Sequence, residues 1–308
     1  SVPVQRNHRT NIYGQLLTSD VDINVVIEPA YDESDLEADP LQLAAAVGGK
    51  VTLTKDVVLT KPLNVTANME LDLNGHTISA ELAKENNNSI INNNAILKIV
   101  GNGTITNTTE NGSAVIRNGG TLILDGVEIL GAPIASGSYP DYAVYTSGNL
   151  VVEDGTIISS DRGAIYIQNG ANVTINGGNI NVTNALNGRV LTAHVIYASG
   201  STSKLTINNG EFALNYEAAG STGASVICPA GATIDVYNGN FTYAGDLYQS
   251  GIFQNYMGYG APVNVYGGTY NDNTVAKNVA DGYKAVQNGS IWYVVADEIN
   301  AIVANDDE

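Results

Sequence analysis

One recurring pattern limits what this chain can fold into: an apolar residue, any residue, another apolar residue, then a glycine followed by a further apolar position. It occurs eight times. The clearest copies are Leu71-Asp72-Leu73-Asn74-Gly75, Leu122-Ile123-Leu124-Asp125-Gly126 and Val263-Asn264-Val265-Tyr266-Gly267-Gly268, with the others at 97–103, 150–155, 173–178, 205–210 and 234–239. Anchored on Gly75, Gly103, Gly126, Gly155, Gly178, Gly210, Gly239 and Gly268, the intervals are 28, 23, 29, 23, 32, 29 and 29 residues. Self-similarity at such a period is the mark of a solenoid, one coil per repeat with connections of varying length.

A second short apolar run precedes each later anchor: Ala114-Val115-Ile116, Ala143-Val144-Tyr145, 164–167, Val195-Ile196-Tyr197 and Ser225-Val226-Ile227. Turn pairs such as Asn118-Gly119, Ser147-Gly148, Asn169-Gly170 and Ser199-Gly200 follow several of them. Alternation puts one set of side chains inward and the other outward, and glycine lets the backbone turn where a Cβ would restrict it. Hairpins do not repeat an equivalent strand every 23 to 32 residues, whereas stacked coils do. The prediction is an all-β fold, a single-stranded right-handed parallel β-helix over residues 39–296. At about 4.8 Å per coil, eight or nine coils make a rod roughly 40 Å long.

Composition supports this reading, with 33 glycines and only 14% charged residues against 44% apolar content, enough for a long core. Thirty-one acidic against 13 basic residues give a formal charge of −18, which disfavours nucleic acid as a partner. The single cysteine, Cys228, has no intramolecular disulfide partner and reads as a small core hydrophobe. No stretch approaches the roughly 20 apolar residues of a membrane span. Ser1 is not an initiator Met and no signal peptide precedes it, so the sequence reads as a processed or truncated piece of a longer one.

Open strand edges at the two ends of a solenoid need cover. At the N-terminal end, Asp39 is expected to cap a short helix with Pro40 in its first position. The segment Leu41-Gln42-Leu43-Ala44-Ala45-Ala46-Val47 forms its body, and Gly48-Gly49 ends it. Residues 1–38 depart from the repeat, passing from strand-like Ile23-Asn24-Val25-Val26-Ile27 to the acidic run Asp32-Glu33-Ser34-Asp35-Leu36-Glu37, and read as a β-extension and linker. At the other end, Asp281-Gly282-Tyr283 through Gln287-Asn288-Gly289-Ser290-Ile291-Trp292-Tyr293 reads as a two-strand unit with an Asn-Gly turn, Trp292 supplying bulk to close the barrel. Residues 297–308 form an acidic tail.

The stretch Val2-Pro3-Val4-Gln5-Arg6-Asn7-His8-Arg9-Thr10-Asn11-Ile12-Tyr13-Gly14-Gln15-Leu16-Leu17-Thr18, continuing to Glu28-Pro29-Ala30-Tyr31, resembles the last strands of the fimbrillin-like domains of Bacteroides-type surface and pilus proteins. It covers about a tenth of the chain. The resemblance implies an upstream β-sandwich or pilus subunit, a lipoprotein-type export route and a place outside the cell, at the outer membrane or on a fimbria. The closing segment, after Gly267-Gly268-Thr269-Tyr270, resembles that of bacterial surface β-helix modules, which share the pectate-lyase-like fold.

Some proteins of that fold are polysaccharide lyases or glycoside hydrolases, which need clustered carboxylates, or carboxylate-bound calcium with a basic residue. No adjacent Asp pair lies within the coils. Asp72 and Asp235 lie between inward apolar residues and are expected to face solvent, while Asp125 and Asp154 precede turn glycines. The best acid–base grouping is Glu153, Asp154, Asp161 and Arg162, which reads first as solvated charge. His76 and His194 have no second His or Cys at ligand spacing, so neither metal nor other cofactor is implied. Nine of the 17 tyrosines lie between Tyr237 and Tyr293. Among them Tyr248, Tyr256 and Tyr259 fall in the long excursion 246–260, and long loops are where solenoids carry function.

The leading expectation is therefore a non-enzymatic surface or fimbria-associated module, an adhesin or structural element. It would bind glycan or a host surface protein through its Tyr-rich C-terminal part, with Tyr248, Tyr256 and Tyr259 as ligand-binding residues. A polysaccharide lyase or hydrolase using Asp154, Asp161 and Arg162 is one alternative. A phage receptor-binding fibre, which would be trimeric, is another.

Overall fold

Short strands with an inward row of aliphatic residues must close on themselves to bury that row, and here they do so as a three-sided coil. The computed structural model describes residues 38–84, 88–134, 141–168, 170–184, 193–216, 223–245, 251–254 and 261–297. Sheet 1 has nine strands, from Gly49–Thr52 to Val263–Val265, sheet 2 has eleven, beginning at Val57–Leu59, and sheet 3 has eight, from Leu63–Val65 to Gly251–Phe253. Successive strands of one sheet come from successive coils and pair in parallel, as in the register of Leu71 with Ile99, Leu122 with Leu150, and Val173 with Leu205. Among the described strands, only the closing hairpin at the end of sheet 2 pairs antiparallel; a single antiparallel bridge also joins Ser199 and Gly231. The expected parallel β-helix is what forms.

The inward rows are fully buried: Leu71, Leu97, Leu122, Leu150, Val173, Leu205 and Ile234 are all at 0% exposure. Near the C-terminal end the interior turns aromatic. Phe212, Phe241 and Tyr270 stack through the coil axis at 4.7 and 4.9 Å with rings within 5° of parallel, and the Tyr270 hydroxyl donates to the Gly267 carbonyl.

The anchor glycines earn their place in two ways. Seven of the eight adopt positive φ, for example Gly155 at +74°, where a side chain is strained. Gly103 is the exception, kept small by close approach: a Cβ there would lie 2.2 Å from the His76 carbonyl oxygen.

The irregular repeat length has one main source. Connections from sheet 1 to sheet 2 are two to four residues long throughout, and those from sheet 3 to sheet 1 likewise except the last, at 254–262. The corner from sheet 2 to sheet 3 ranges from two residues, between Ser160 and Gly163, to thirteen, between Leu130 and Val144.

Both ends are closed by side chains or backbone that the repeat itself lacks. Helix α1 (Ala38–Val47) lays Leu41, Ala44 and Ala45 on the first coil, and the Ala45 carbonyl accepts from the Thr66 and Ala67 amides. It begins at Ala38, so Asp39 lies inside its first turn rather than at the cap; Gly48 (φ +92°) ends it as expected. At the far end the 3₁₀ turn Asn273–Lys277 and its flanks act as a stopper. The Ile252 and Phe253 amides donate to Asp272 and Thr274 side chains, and Val265 exchanges backbone hydrogen bonds with Asn278 and Ala280. Sheet 2 alone continues, through Ile291–Ala296 and Tyr283–Asn288, with Trp292 opposite Tyr270. The architecture suits a surface or structural module. Among the described residues no helix is long and apolar enough to cross a membrane. The β-extension expected before residue 38 lies outside the described residues.

Candidate functional site

Because sheet 3 is in register from coil to coil, one outward position repeats along its length. That column reads Asn64, Asn92, Arg117, Tyr145, Tyr166 and Tyr197. The three tyrosines stack at 4.9 Å, tilted by 25° and 20°, the separation that parallel strands impose. The Arg117 guanidinium carbon stands 4.4 Å from the Tyr145 centroid, on the face away from Tyr166. Further along, Asn92 donates to Asn64 at 2.9 Å.

A second row supports this column from the sheet 2 to sheet 3 corner. Tyr142, only 3% exposed, meets Tyr145 and Tyr166 edge-on at 5.9 and 5.3 Å, and fits because residue 163 is glycine: a Cβ there would come within 2.2 Å of its ring. Arg162 stands 5.5 Å from the Tyr142 centroid. The buried Asp141 takes Arg117 at 2.9 Å and Lys84 at 3.2 Å, and Arg117 Nε donates to the Asn88 carbonyl. Further on, His194 Nδ1 lies 2.8 Å from the Ser225 hydroxyl, its ring 5.4 Å from that of Tyr197.

Burial sets the titration of His194, Tyr145 and Tyr142. It holds the His194 imidazole down at about 3, with Arg162 acting in the same direction, so the ring is neutral. Burial pushes the Tyr145 phenol up to about 12, helped by Asp141, and raises Tyr142 well above its ordinary value, so both hydroxyls stay protonated at neutral pH. The Cys228 thiol, beside Ser225, is likewise pushed up to about 12.

In front of the column two hollows open to solvent, of about 440 and 410 Å³, sharing Tyr145 and Gln168. The larger is lined by Asn64, Asn92, Asn94, Gln168 and Ser147 together with Arg117 and Tyr145; the smaller adds Tyr166 and Ser199. Together they form a polar cleft running along the coil axis. The ring faces within the column are taken, Tyr166 by its two neighbours and Tyr145 by Arg117 and Tyr166. A ligand in the cleft therefore meets phenol edges, amides and hydroxyls.

The residues singled out from sequence fall elsewhere. Tyr248, Tyr256 and Tyr259 lie outside the described residues, in the connections before and after strand Gly251–Phe253. Of the other C-terminal tyrosines, Tyr237 and Tyr266 stack at 4.9 Å in the turns that follow sheet 1 strands, with Tyr283 edge-on to Tyr266, and Tyr270 is core. Asp154 and Asp161 sit at opposite ends of strand Ile157–Ser160: Asp161 accepts from the Ile134 amide, Glu153 from Asn176, and Arg162 turns to Tyr142. The expected acid–base grouping is thus not brought together. Asp235 is not in solvent either, at 8% exposure with Lys204 at 3.1 Å and the Asn264 amide at 2.9 Å. Among the described residues no group of three or more His, Cys, Asp or Glu is placed to hold a metal.

A signal for the column was present in the runs Ala143-Val144-Tyr145, Ala164-Ile165-Tyr166 and Val195-Ile196-Tyr197, each closing on tyrosine, with Arg117 in the same place after Val115-Ile116.

With this geometry in place, comparison with known proteins adds one relationship. Residues 1–81 match a family of unknown function (DUF6562). The match runs through α1 and ends just past strand Thr77–Ala80; of the column it takes in Asn64 but not Arg117 or the tyrosines. No curated protein and no solved structure matches the chain.

Proposed function

We propose that the chain is a non-enzymatic bacterial surface module, carried outside the cell beside a fimbrillin-like domain, that binds glycan along the cleft of sheet 3. The observation that carries the reading is the cleft itself. It presents amide, hydroxyl and phenol groups along the coil axis, repeated at the strand spacing, which suits a linear ligand with polar groups at regular intervals. Tyrosine edges add contact area at little entropic cost. The N-terminal resemblance supports the location, and the earlier candidates Tyr248, Tyr256 and Tyr259 flank the last strand of the same sheet in sequence.

Binding of the whole chain to immobilised glycans tests this. Replacing Tyr145 and Gln168 by alanine together should abolish binding, whereas Tyr237→Ala, in the separate stack at the turns between sheets 1 and 2, should leave it intact. Glycan binding indifferent to the first pair would move the site off the cleft. Release of reducing ends or unsaturated sugars from any glycan would replace the reading by an enzymatic one.

A further inference from the structure

The chain carries 18 net negative charges, yet among the described residues no acidic side chain lines the cleft, and a basic one does. The two arginines found among the described residues, Arg117 and Arg162, both stand against tyrosines of this one cluster. Arg117 and Lys84 both reach the carboxylate of Asp141, which is 5% exposed. Two of the five N–H groups of the Arg117 fork are engaged by Asn88 and Asp141. The rest belong to a side chain that walls the cleft. Packing on Tyr145 fixes the plane of the guanidinium, and a fixed fork recognises a carboxylate through paired hydrogen bonds.

We infer that the cleft selects glycans bearing carboxylate groups, with Arg117 as the residue that recognises the acid. This rests on the glycan reading above and names its ligand class. The overall negative charge does not oppose it strongly, because at physiological salt charges more than about 8 Å away are largely screened. Among the described residues, the groups a ligand in the cleft meets are the Arg117 guanidinium and a wall of neutral amides.

The test uses the full chain and a matched pair of probes: a uronic-acid-containing oligosaccharide, and the same oligosaccharide after chemical reduction of its carboxylates to alcohols. The acidic form is expected to bind about tenfold or more tightly, the usual worth of a charge-assisted hydrogen bond. Arg117→Gln should remove that preference, and Arg117→Lys, which keeps the charge but loses the fork, should reduce it. Since Arg117 also holds Asp141, the variant Arg117→Gln with Asp141→Asn removes both members of the ion pair and guards against misfolding; it too should bind the two probes alike. Equal binding of both probes by the unmodified chain would overturn the carboxylate assignment and leave glycan binding standing. Retention of the preference in the double variant would overturn the role of Arg117. Binding of neither probe would overturn this inference together with the glycan reading.

Discussion

Asn93 donates to Asn118 at 2.8 Å inside the coil, and Asn118 in turn donates to the Thr146 hydroxyl at 3.0 Å and the Asn149 carbonyl at 2.8 Å. This buried ladder turns the chain from sheet 3 into sheet 1 on three successive coils. Asn118→Leu, of similar size, should leave several polar groups without partners at about 1–3 kcal/mol each. Urea unfolding should show a loss of more than about 2 kcal/mol, and an unchanged midpoint would mean the ladder is ornamental.

The two aromatic stacks should differ in weight. Phe241 sits in the core between Phe212 and Tyr270, and Phe241→Ala should cost about 3–5 kcal/mol by opening a cavity. Tyr166 is part-exposed between Tyr145 and Tyr197, and Tyr166→Ala should cost only about 1 kcal/mol. Comparable losses on thermal or urea unfolding would contradict the division between a core stack and a surface column.

Stability should depend on pH through His194. Its folded value is about 3, set by burial first and Arg162 second, while the unfolded chain titrates near 6.5. Above about 6.5 neither state binds the proton. As pH falls from there toward 3 only the unfolded state binds it, so folding loses up to about 1.4 kcal/mol per pH unit from this residue. His194→Gln should flatten the profile in that window relative to the parent chain, measured by unfolding midpoints at stepped pH. Parallel profiles would show that His194 is not the titrating group.

Cys228 is at 0% exposure, and its thiol is pushed up to about 12 by burial against a smaller opposing effect of Ser225. Native protein at pH 8 should resist alkylation, and denaturant should release one reactive thiol per chain. Fast labelling of the native state would mean that this part of sheet 3 opens readily.

Glycine positions should split by what surrounds them. At Gly148 a Cβ would stand 2.0 Å from the Gly120 carbonyl oxygen of the coil before, so Gly148→Ala must push backbone apart and should cost about 3 kcal/mol or more. Gly170 faces open space at φ +86°, and Gly170→Ala should cost about 1–2 kcal/mol of backbone strain alone. Melting temperatures in the opposite order would refute the close coil-to-coil approach at Gly148.

The strands and anchors were legible from sequence because period-2 alternation and glycine spacing report local geometry. Each quoted run, from Ala114-Val115-Ile116 to Ser225-Val226-Ile227, falls on a strand of sheet 3, with Ala143 just ahead of its strand Val144–Thr146. The column from Arg117 to Tyr197 was not legible as one surface. Its members are 28, 21 and 31 residues apart, and only the register between coils brings them into line. That spacing depends on how much chain each sheet 2 to sheet 3 corner consumes, which no local pattern states. Tyrosine density drew attention to the C-terminal part, where Tyr270 proved to be core and Tyr237 half of a separate stack. The burial of Asp235 was equally hidden, since Lys204 and Asn264 reach it from the coils on either side.

The corner between sheets 2 and 3 gives the fold a division of labour. Two walls of the prism are held to tight tolerances by backbone contacts, while at this corner thirteen residues on one coil are followed by two on the next without disturbing the stack. New sequence can therefore be spliced there at small thermodynamic cost, as loop closure grows only slowly with length. The bare step from Ser160 to Gly163 is the natural slot for a grafted peptide, displayed beside the tyrosine column on a frame that does not have to be redesigned to carry it.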